Sequence, residues 1–299
     1  MKKLIILLFL ITSLFAQQLK VDSIEKIETN QDFYYPNFGS SENEIFLTRI
    51  NYQGIFKMNL LSKEITQINN DLGAGYNYVI NNESVYYRAE ELIDNRRFFK
   101  YIQQYLSSLN KTELTQLERN ITTPKLYNNY LVKLNSNNEM QRVKIVSNLQ
   151  KADSKEVLIS NNKLLVIDNS GINELNIFSN GYYLWASISP DQNKIVFHYS
   201  VKGTFVSDLQ GNIIRELGNA NFPSWSSDGK YIIYMNDEDD GHSVLSSDVL
   251  LYNYESEQRV NLTADFDDIA MYPSISDSMN KILFSNMKGE IYIINLISE

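Results

Sequence analysis

Two histidines and a short acidic run carry the side chains of this sequence that are best suited to chemistry. The chain has only two histidines, His198 and His242. The second follows an acidic run that contains Asp237, Asp239 and Asp240. Carboxylates closely spaced before a glycine supply the oxygen ligands that Ca²⁺ prefers. The run therefore predicts a candidate Ca²⁺ site at these three aspartates.

A simpler interpretation of the acidic run is a solvent-exposed loop. The match to a calcium-binding EF-hand loop is poor, because a loop that starts at Asn236 puts Ser247 where the closing carboxylate belongs. Runs of charge are also usually solvated. Both interpretations of the run stay open at the level of sequence.

The two histidines fall in neighbouring repeats of the chain. His198 ends a predicted strand and His242 lies in the corresponding loop of the next repeat, so both could reach one rim and form an acid–base or metal site. Chance placement is the simpler explanation. The sequence shows no nucleophile elbow, no cysteine and no glycine-rich phosphate loop.

The elements that position these residues come from an internal repeat. Four segments share an aromatic residue, a small residue or proline, a polar turn and then a β-rich run. They are Tyr35–Phe46, Trp185–Phe197, Phe222–Tyr234 and Tyr272–Phe284. A further predicted strand follows each of them. In one repeat the pair Asp228-Gly229 suits a tight hairpin turn. Repetition at this spacing predicts an all-β propeller made of four-stranded antiparallel blades.

The repeats resemble a known family. The Ser189-Pro190-Asp191 turn, the Lys194–Phe197 run and the Ile291–Leu296 strand resemble the WD40-like PD40 repeats of the TolB-like β-propeller family. The resemblance implies a propeller, usually with six blades. Fewer than about 20 residues lie between the predicted leader and the first blade, too few for the separate N-terminal domain that TolB itself carries.

The blade count depends on the middle of the chain. We expect six blades, with residues 125–181 forming one long blade whose last two strands are Leu164–Asp168 and Ile172–Phe178. The alternative divides this segment into two short blades and gives seven. A strand near residues 20–28 is expected to close the last blade. For residues 96–109 we favour strands over an amphipathic helix.

The N-terminus and composition indicate where the protein acts. Residues 1–16 combine Lys2 and Lys3, an apolar run and a final Ala16, which predicts a cleaved signal peptide before a single propeller domain at 17–299. The expected location is periplasmic or secreted, with no membrane span after cleavage. A net charge of −9 without a basic block argues against nucleic-acid binding.

These observations predict a binding protein. Tyr35, Trp185, Trp225 and Tyr272 occupy first-strand positions near the expected channel, where they either pack between blades or offer stacking surfaces. The expected channel-face ligand residues are His198, Asp237, Asp239, Asp240, His242, Trp185 and Tyr272. We expect a monomeric, non-enzymatic binding or scaffolding propeller that recognises an envelope protein or peptide. The alternative is a carbohydrate-active lyase or hydrolase that uses His198, His242 and nearby carboxylates.

Overall fold

The protein is built from β-strands throughout its described length. The computed structural model describes residues 19–81, 83–128, 130–134, 139–145 and 154–298. They form 26 strands in seven separate sheets, with one 3₁₀ turn at Ile50–Tyr52. The predicted leader at 1–16 lies outside these residues. Within them, no helix is long and apolar enough to cross a membrane.

The sheets follow the chain as seven blades. Strand β1 is Leu19–Ile27. Blade 1 contains β2 (Tyr34–Phe38), β3 (Glu44–Arg49), β4 (Gln53–Asn59) and β5 (Ile65–Asn69), and blade 2 contains β6 (Val79–Asn81), β7 (Ser84–Ile93), β8 (Arg96–Tyr105) and β9 (Lys111–Glu113). Blade 3 contains β10 (Lys125–Tyr127), β11 (Tyr130–Leu134) and β12 (Met140–Lys144), and blade 4 contains β13 (Glu156–Ser160), β14 (Lys163–Asp168) and β15 (Gly171–Leu175).

The remaining blades are complete. Blade 5 contains β16 (Tyr183–Ile188), β17 (Lys194–Tyr199), β18 (Gly203–Asp208) and β19 (Ile213–Gly218), and blade 6 contains β20 (Asn221–Trp225), β21 (Tyr231–Asp239), β22 (Val244–Asn253) and β23 (Arg259–Asn261). Blade 7 contains β24 (Met271–Ile275), β25 (Lys281–Ser285) and β26 (Ile291–Ser298), with β1 as its fourth strand. Of residues 96–109, for which strands were predicted, residues 96–105 form the single strand β8 and the rest lie in the turn that follows it.

The core lies between neighbouring blades. Strand β17 shows why its sequence is apolar at consecutive positions: Ile195 and Phe197 pack towards blade 4, whereas Val196 packs towards blade 6. Successive side chains of a strand point to opposite faces, so a strand covered on both faces needs apolar residues at both. This double burial explains the Lys-Ile-Val-Phe type of run in the repeats.

The two ends of the described chain meet in one sheet. Strand β1 pairs antiparallel with β26 from Leu19 opposite Ser298 to Ile27 opposite Ile291. The last blade therefore takes its outermost strand from the start of the propeller. Closure of this kind joins the first and last elements of the ring through main-chain hydrogen bonds.

The seven blades correct the main prediction of six. Residues 125–175 form two sheets because β12 and β13 do not pair with each other. Each sheet has three described strands, and the two sheets bury apolar side chains against each other. Val132 and Leu134 of blade 3 pack against Leu158 and Leu165 of blade 4. The two strands assigned to the end of one long blade are β14 and β15 of a separate blade.

Strand β13 runs antiparallel to β16, the inner strand of the next blade. The backbone N–H of Lys155, just before β13, donates to Oε1 of Gln192, in the turn after β16 (2.9 Å). The side-chain amide of Asn162, just after β13, donates to the carbonyl of Gly181, which precedes β16 (2.6 Å). Among the described residues, β13 thus has the direction of a second strand of its blade. Residues Val157–Asn161 themselves line the central cavity.

Candidate active site

One face of the ring collects the connections that carry the candidate residues. Strand direction alternates, so the loop between the second and third strands of a blade lies beside the entry to its first strand. In blade 5, the backbone N–H of Ser200 donates to the carbonyl of Tyr182 at 2.9 Å, which joins these two segments. We call this side the channel face. His198 and Asp237, near the ends of β17 and β21, both lie there.

Four first strands share a backbone irregularity near their start. Tyr35, Trp185, Phe222 and Tyr272 have φ angles of 51°, 49°, 52° and 55°. The ladder to the second strand shifts register around each of these residues. Left-handed backbone costs a residue other than glycine about 1–2 kcal/mol. Strain of this kind concentrates at functional sites, and here it recurs at the same position in four blades.

The rings of these residues belong to a continuous series on the channel face. We call Tyr76, Tyr52, Tyr35, Tyr272, Phe222 and Trp185 the aromatic collar. In that order, successive ring centroids are 4.9, 4.3, 4.1, 5.4 and 6.2 Å apart. All six side chains are half-buried. Burial raises the pKa of the Tyr35 and Tyr272 hydroxyls, so both stay protonated at neutral pH.

A cavity of about 710 Å³ occupies the centre of the ring beside this collar. Tyr76, Phe222 and Trp185 line one part of it. Its charged lining residues within the described chain are Arg88, Arg119 and Lys125, and no aspartate or glutamate joins them. The protein as a whole carries a net charge of −9. The cavity therefore has the opposite sign from the rest of the molecule and favours an anionic ligand.

His198 adjoins the end of the collar. Its ring centroid is 5.3 Å from that of Trp185, and its Nδ1 atom is 3.0 Å from Oγ1 of Thr204. Burial lowers the pKa of His198 below the ordinary value of 6.5, while the negative charge of Asp237 opposes this effect. The imidazole is consequently neutral at physiological pH and can accept a proton.

The acidic run forms the end of the β21–β22 hairpin. Asp237 accepts a hydrogen bond from the side chain of Asn221 at 2.8 Å, close to the channel face. Asp239 and Asp240 instead accept from backbone N–H groups of their own turn, at 2.8–2.9 Å. His242 is exposed at the tip. Asp237 thus lies at the rim of the channel face, whereas Asp239 and Asp240 accept hydrogen bonds within the hairpin turn.

The described residues do not assemble a metal site. They contain no group of three or more histidine, aspartate and glutamate side chains that could hold a metal ion. The backbone N–H groups of His242 and Ser243 already engage the carboxylate of Asp240 and lower its pKa. The donors predicted to bind Ca²⁺, Asp237, Asp239 and Asp240, therefore do not converge in this part of the chain.

The structure separates the predicted site residues into two groups. His198, Trp185, Tyr272 and Asp237 lie together around the channel face, whereas Asp239, Asp240 and His242 extend to the hairpin tip. Trp225 does not belong to the channel. It is buried between blades 5 and 6 and packs against Tyr254, with centroids 5.4 Å apart.

Several site residues were missed in the sequence. Phe222 had a signal, because Tyr35-Pro36, Phe222-Pro223 and Tyr272-Pro273 repeat an aromatic–proline pair at the start of a first strand. Tyr52, Tyr76 and Arg88 had none, because they lie in connections or a second strand, outside the recognisable repeat. Their proximity to the channel appears only once the ring is closed.

Comparisons with known proteins give structural neighbours only. No family model and no curated protein matches the chain. Among solved structures, an oligogalacturonate lyase from Vibrio parahaemolyticus is similar with a TM-score of 0.50 and 11% identity, over 90% of this chain and 79% of that one. An oligogalacturonate lyase in complex with manganese has a TM-score of 0.47 and 10% identity, over 91% and 79% of the two chains. At these identities the likeness is one of fold.

This result corrects the functional prediction. The Vibrio parahaemolyticus propeller that shares this fold is a lyase, and this finding counts against the expectation of a non-enzymatic propeller that recognises a protein or peptide, which is therefore corrected. The enzymatic alternative, a carbohydrate-active propeller, agrees better with this neighbour.

Proposed function

We propose that the protein is a carbohydrate-active propeller enzyme, a lyase that cleaves an acidic oligosaccharide held on the channel face. The observation that carries this proposal is the aromatic collar, which places Tyr76, Phe222 and Trp185 in the wall of an open cavity and ends at Trp185 against a neutral histidine. The oligogalacturonate lyase of similar fold makes oligogalacturonate the first substrate to test. The leader-like residues 1–16 support action outside the cytoplasm.

The collar supplies the binding surface. The apolar faces of sugar rings pack against aromatic side chains, and ligand pockets generally combine such surfaces with a few polar groups. Phe222 and Trp185 line the cavity from blades 6 and 5, and Tyr76 lines it from the connection between blades 1 and 2. The hydroxyls of Tyr35 and Tyr272, which interact with each other within the collar, remain protonated.

The charge of the cavity favours a lyase over a hydrolase. Glycoside hydrolases generally place two carboxyl groups on either side of the scissile bond. The described lining of this cavity contains arginine and lysine but no carboxylate. A lyase needs no such pair. It needs a base, and a positive group near the acidic function of the sugar.

His198 is the residue that we assign as the base. Its imidazole would take the proton from the carbon next to the sugar carboxylate. The electrons of that C–H bond form a C=C bond, and the glycosidic oxygen leaves with the electrons of the broken C–O bond. The imidazolium, or water, then returns a proton to that oxygen. A neutral histidine is suited to such a transfer near neutral pH.

Mass spectrometry of the products tests this proposal. The mature protein is incubated with oligogalacturonate, with and without added Mn²⁺, and with a neutral oligosaccharide as control. We expect two fragments whose masses add up to that of the substrate, one of them unsaturated. Fragments that together exceed the substrate by one water would indicate a hydrolase. Intact acidic substrate in every arm would contradict an enzyme of this class.

A further inference from the structure

Arg88 is a charged residue of the cavity wall with an unusual environment. It lies on β7, is half-buried and lines the central cavity. Burial lowers the pKa of its guanidinium, although not enough to remove the charge at neutral pH. A partly desolvated charge is costly unless a counter-charge or hydrogen bonds compensate it.

The guanidinium is held in a fixed position. Nη1 of Arg88 donates to the carbonyl of Ile121 at 2.8 Å. The guanidinium carbon lies 4.3 Å from the centroid of Phe99 and 5.9 Å from that of Tyr76. These contacts orient the planar group but use only one hydrogen-bond donor, and a guanidinium has five.

No carboxylate within the described chain pairs with Arg88 at ion-pair distance. Glu90, two residues further along β7, is instead paired with Nε of Arg97 at 3.2 Å. Lys100 on β8 is bound by Glu91 and Glu113, at 2.7 and 2.5 Å. The basic residues around Arg88 thus have ion-pair partners at the surface. The described residues form no ion pair with Arg88 itself, although the charge of Glu90 still favours its charged form.

We propose that Arg88 binds the acidic group of the ligand, a sugar carboxylate, through its free N–H groups. Two parallel N–H···O bonds match the planar carboxylate, which makes arginine well suited to recognise this anion. Arg119 and Lys125 line the same cavity and add positive charge. This inference rests on the proposed function for the class of ligand, but it concerns binding and does not need turnover.

A calorimetric titration tests the assignment without catalysis. The His198→Gln protein is titrated with oligogalacturonate, with the same oligosaccharide after reduction of its carboxyl groups, and with inorganic sulfate. We expect the acidic oligosaccharide to bind about tenfold to a hundredfold more tightly than the reduced one. Sulfate that binds as tightly as the oligosaccharide would overturn the assignment of a sugar carboxylate.

Substitutions then identify the residue. Arg88→Met is expected to remove most of the preference for the acidic form, and Arg88→Lys to keep part of it. Arg97→Met is the matched control, because that exposed arginine is paired at the surface, and it should keep the full preference. A folded Arg88→Met protein that still prefers the acidic oligosaccharide would overturn the proposal.

A second readout applies if Arg88→Met does not fold. In the otherwise unchanged His198→Gln protein, the guanidinium ¹⁵N signal of Arg88 should shift with the acidic but not the reduced oligosaccharide. No shift with either would also overturn the proposal. If the wild-type protein prefers the acidic oligosaccharide but does not cleave it, the Arg88 site is supported and the proposed lyase activity is contradicted. If Arg88→Met cleaves the acidic substrate with an unchanged KM, the lyase stands and the Arg88 site is overturned.

Discussion

Nδ1 of His198 lies 3.0 Å from Oγ1 of Thr204, and the same hydroxyl donates its proton to the carbonyl of Ala220. Thr204 is fully buried and stands opposite His198 in the β17–β18 ladder. Because the hydroxyl proton is already used, Oγ1 can only accept from the imidazole. The neutral His198 therefore carries its proton on Nδ1 and leaves the Nε2 lone pair free.

Replacing Thr204 should remove the preference of His198 for this tautomer. In Thr204→Val the Nδ1–H loses its acceptor, so we expect a mixture of tautomers in the imidazole ¹⁵N spectrum and a lower kcat with little change in KM. Thr204→Ser keeps the hydroxyl and should restore both the spectrum and kcat. A wild-type spectrum in which the proton sits on Nε2 would contradict the assignment.

The depressed pKa of His198 should make stability depend on pH. Between the folded pKa and the unfolded value of about 6.5, the unfolded chain binds more protons at this site than the folded one. The free energy of unfolding therefore rises with pH through this window and then levels off, as far as this group contributes. We expect the rise to be smaller in His198→Gln when unfolding is measured in urea at several pH values. An equal rise in both proteins would show that His198 does not titrate in this way.

Because the backbone at Phe222 is left-handed, we expect glycine to be more stabilising than alanine at this position, the reverse of their usual order in strands. Glycine adopts φ near 52° without strain, whereas alanine keeps the steric cost of a Cβ. We expect Phe222→Gly to be more stable than Phe222→Ala by about 1 kcal/mol in denaturant unfolding. If alanine proves equal or better, the strained bulge is not a property of the folded protein.

The acidic hairpin tip should not respond to calcium. The carboxylates of Asp239 and Asp240 cap their own turn, and the donors do not converge in the described chain. We expect the midpoint of thermal unfolding to be the same in EDTA and in added Ca²⁺. A ligand of the native state raises this midpoint, so a Ca²⁺-specific rise that disappears in Asp239→Ala would restore the predicted metal site.

The sequence allowed the propeller and its regular blades to be predicted because each regular repeat carries its own turn and doubly buried strands. The blade count could not be predicted, because residues 125–175 lack the turn pattern and form two short blades. Trp185 and Tyr272 were identifiable from the repeat. Arg88 and Tyr76 were not, since only ring closure brings them to the cavity. The TolB-like resemblance stays a prediction.

The most direct measurement is the rate at which matched histidine variants form unsaturated product from oligogalacturonate, followed by ultraviolet absorbance. His198 adjoins the collar, whereas His242 is exposed at the hairpin tip. The wild-type protein and His242→Gln should cleave at similar rates, and His198→Gln should be slower by about a hundredfold or more, the usual contribution of a general base. Equal rates in the two variants, or no product from the wild-type protein, would contradict a lyase centred on His198.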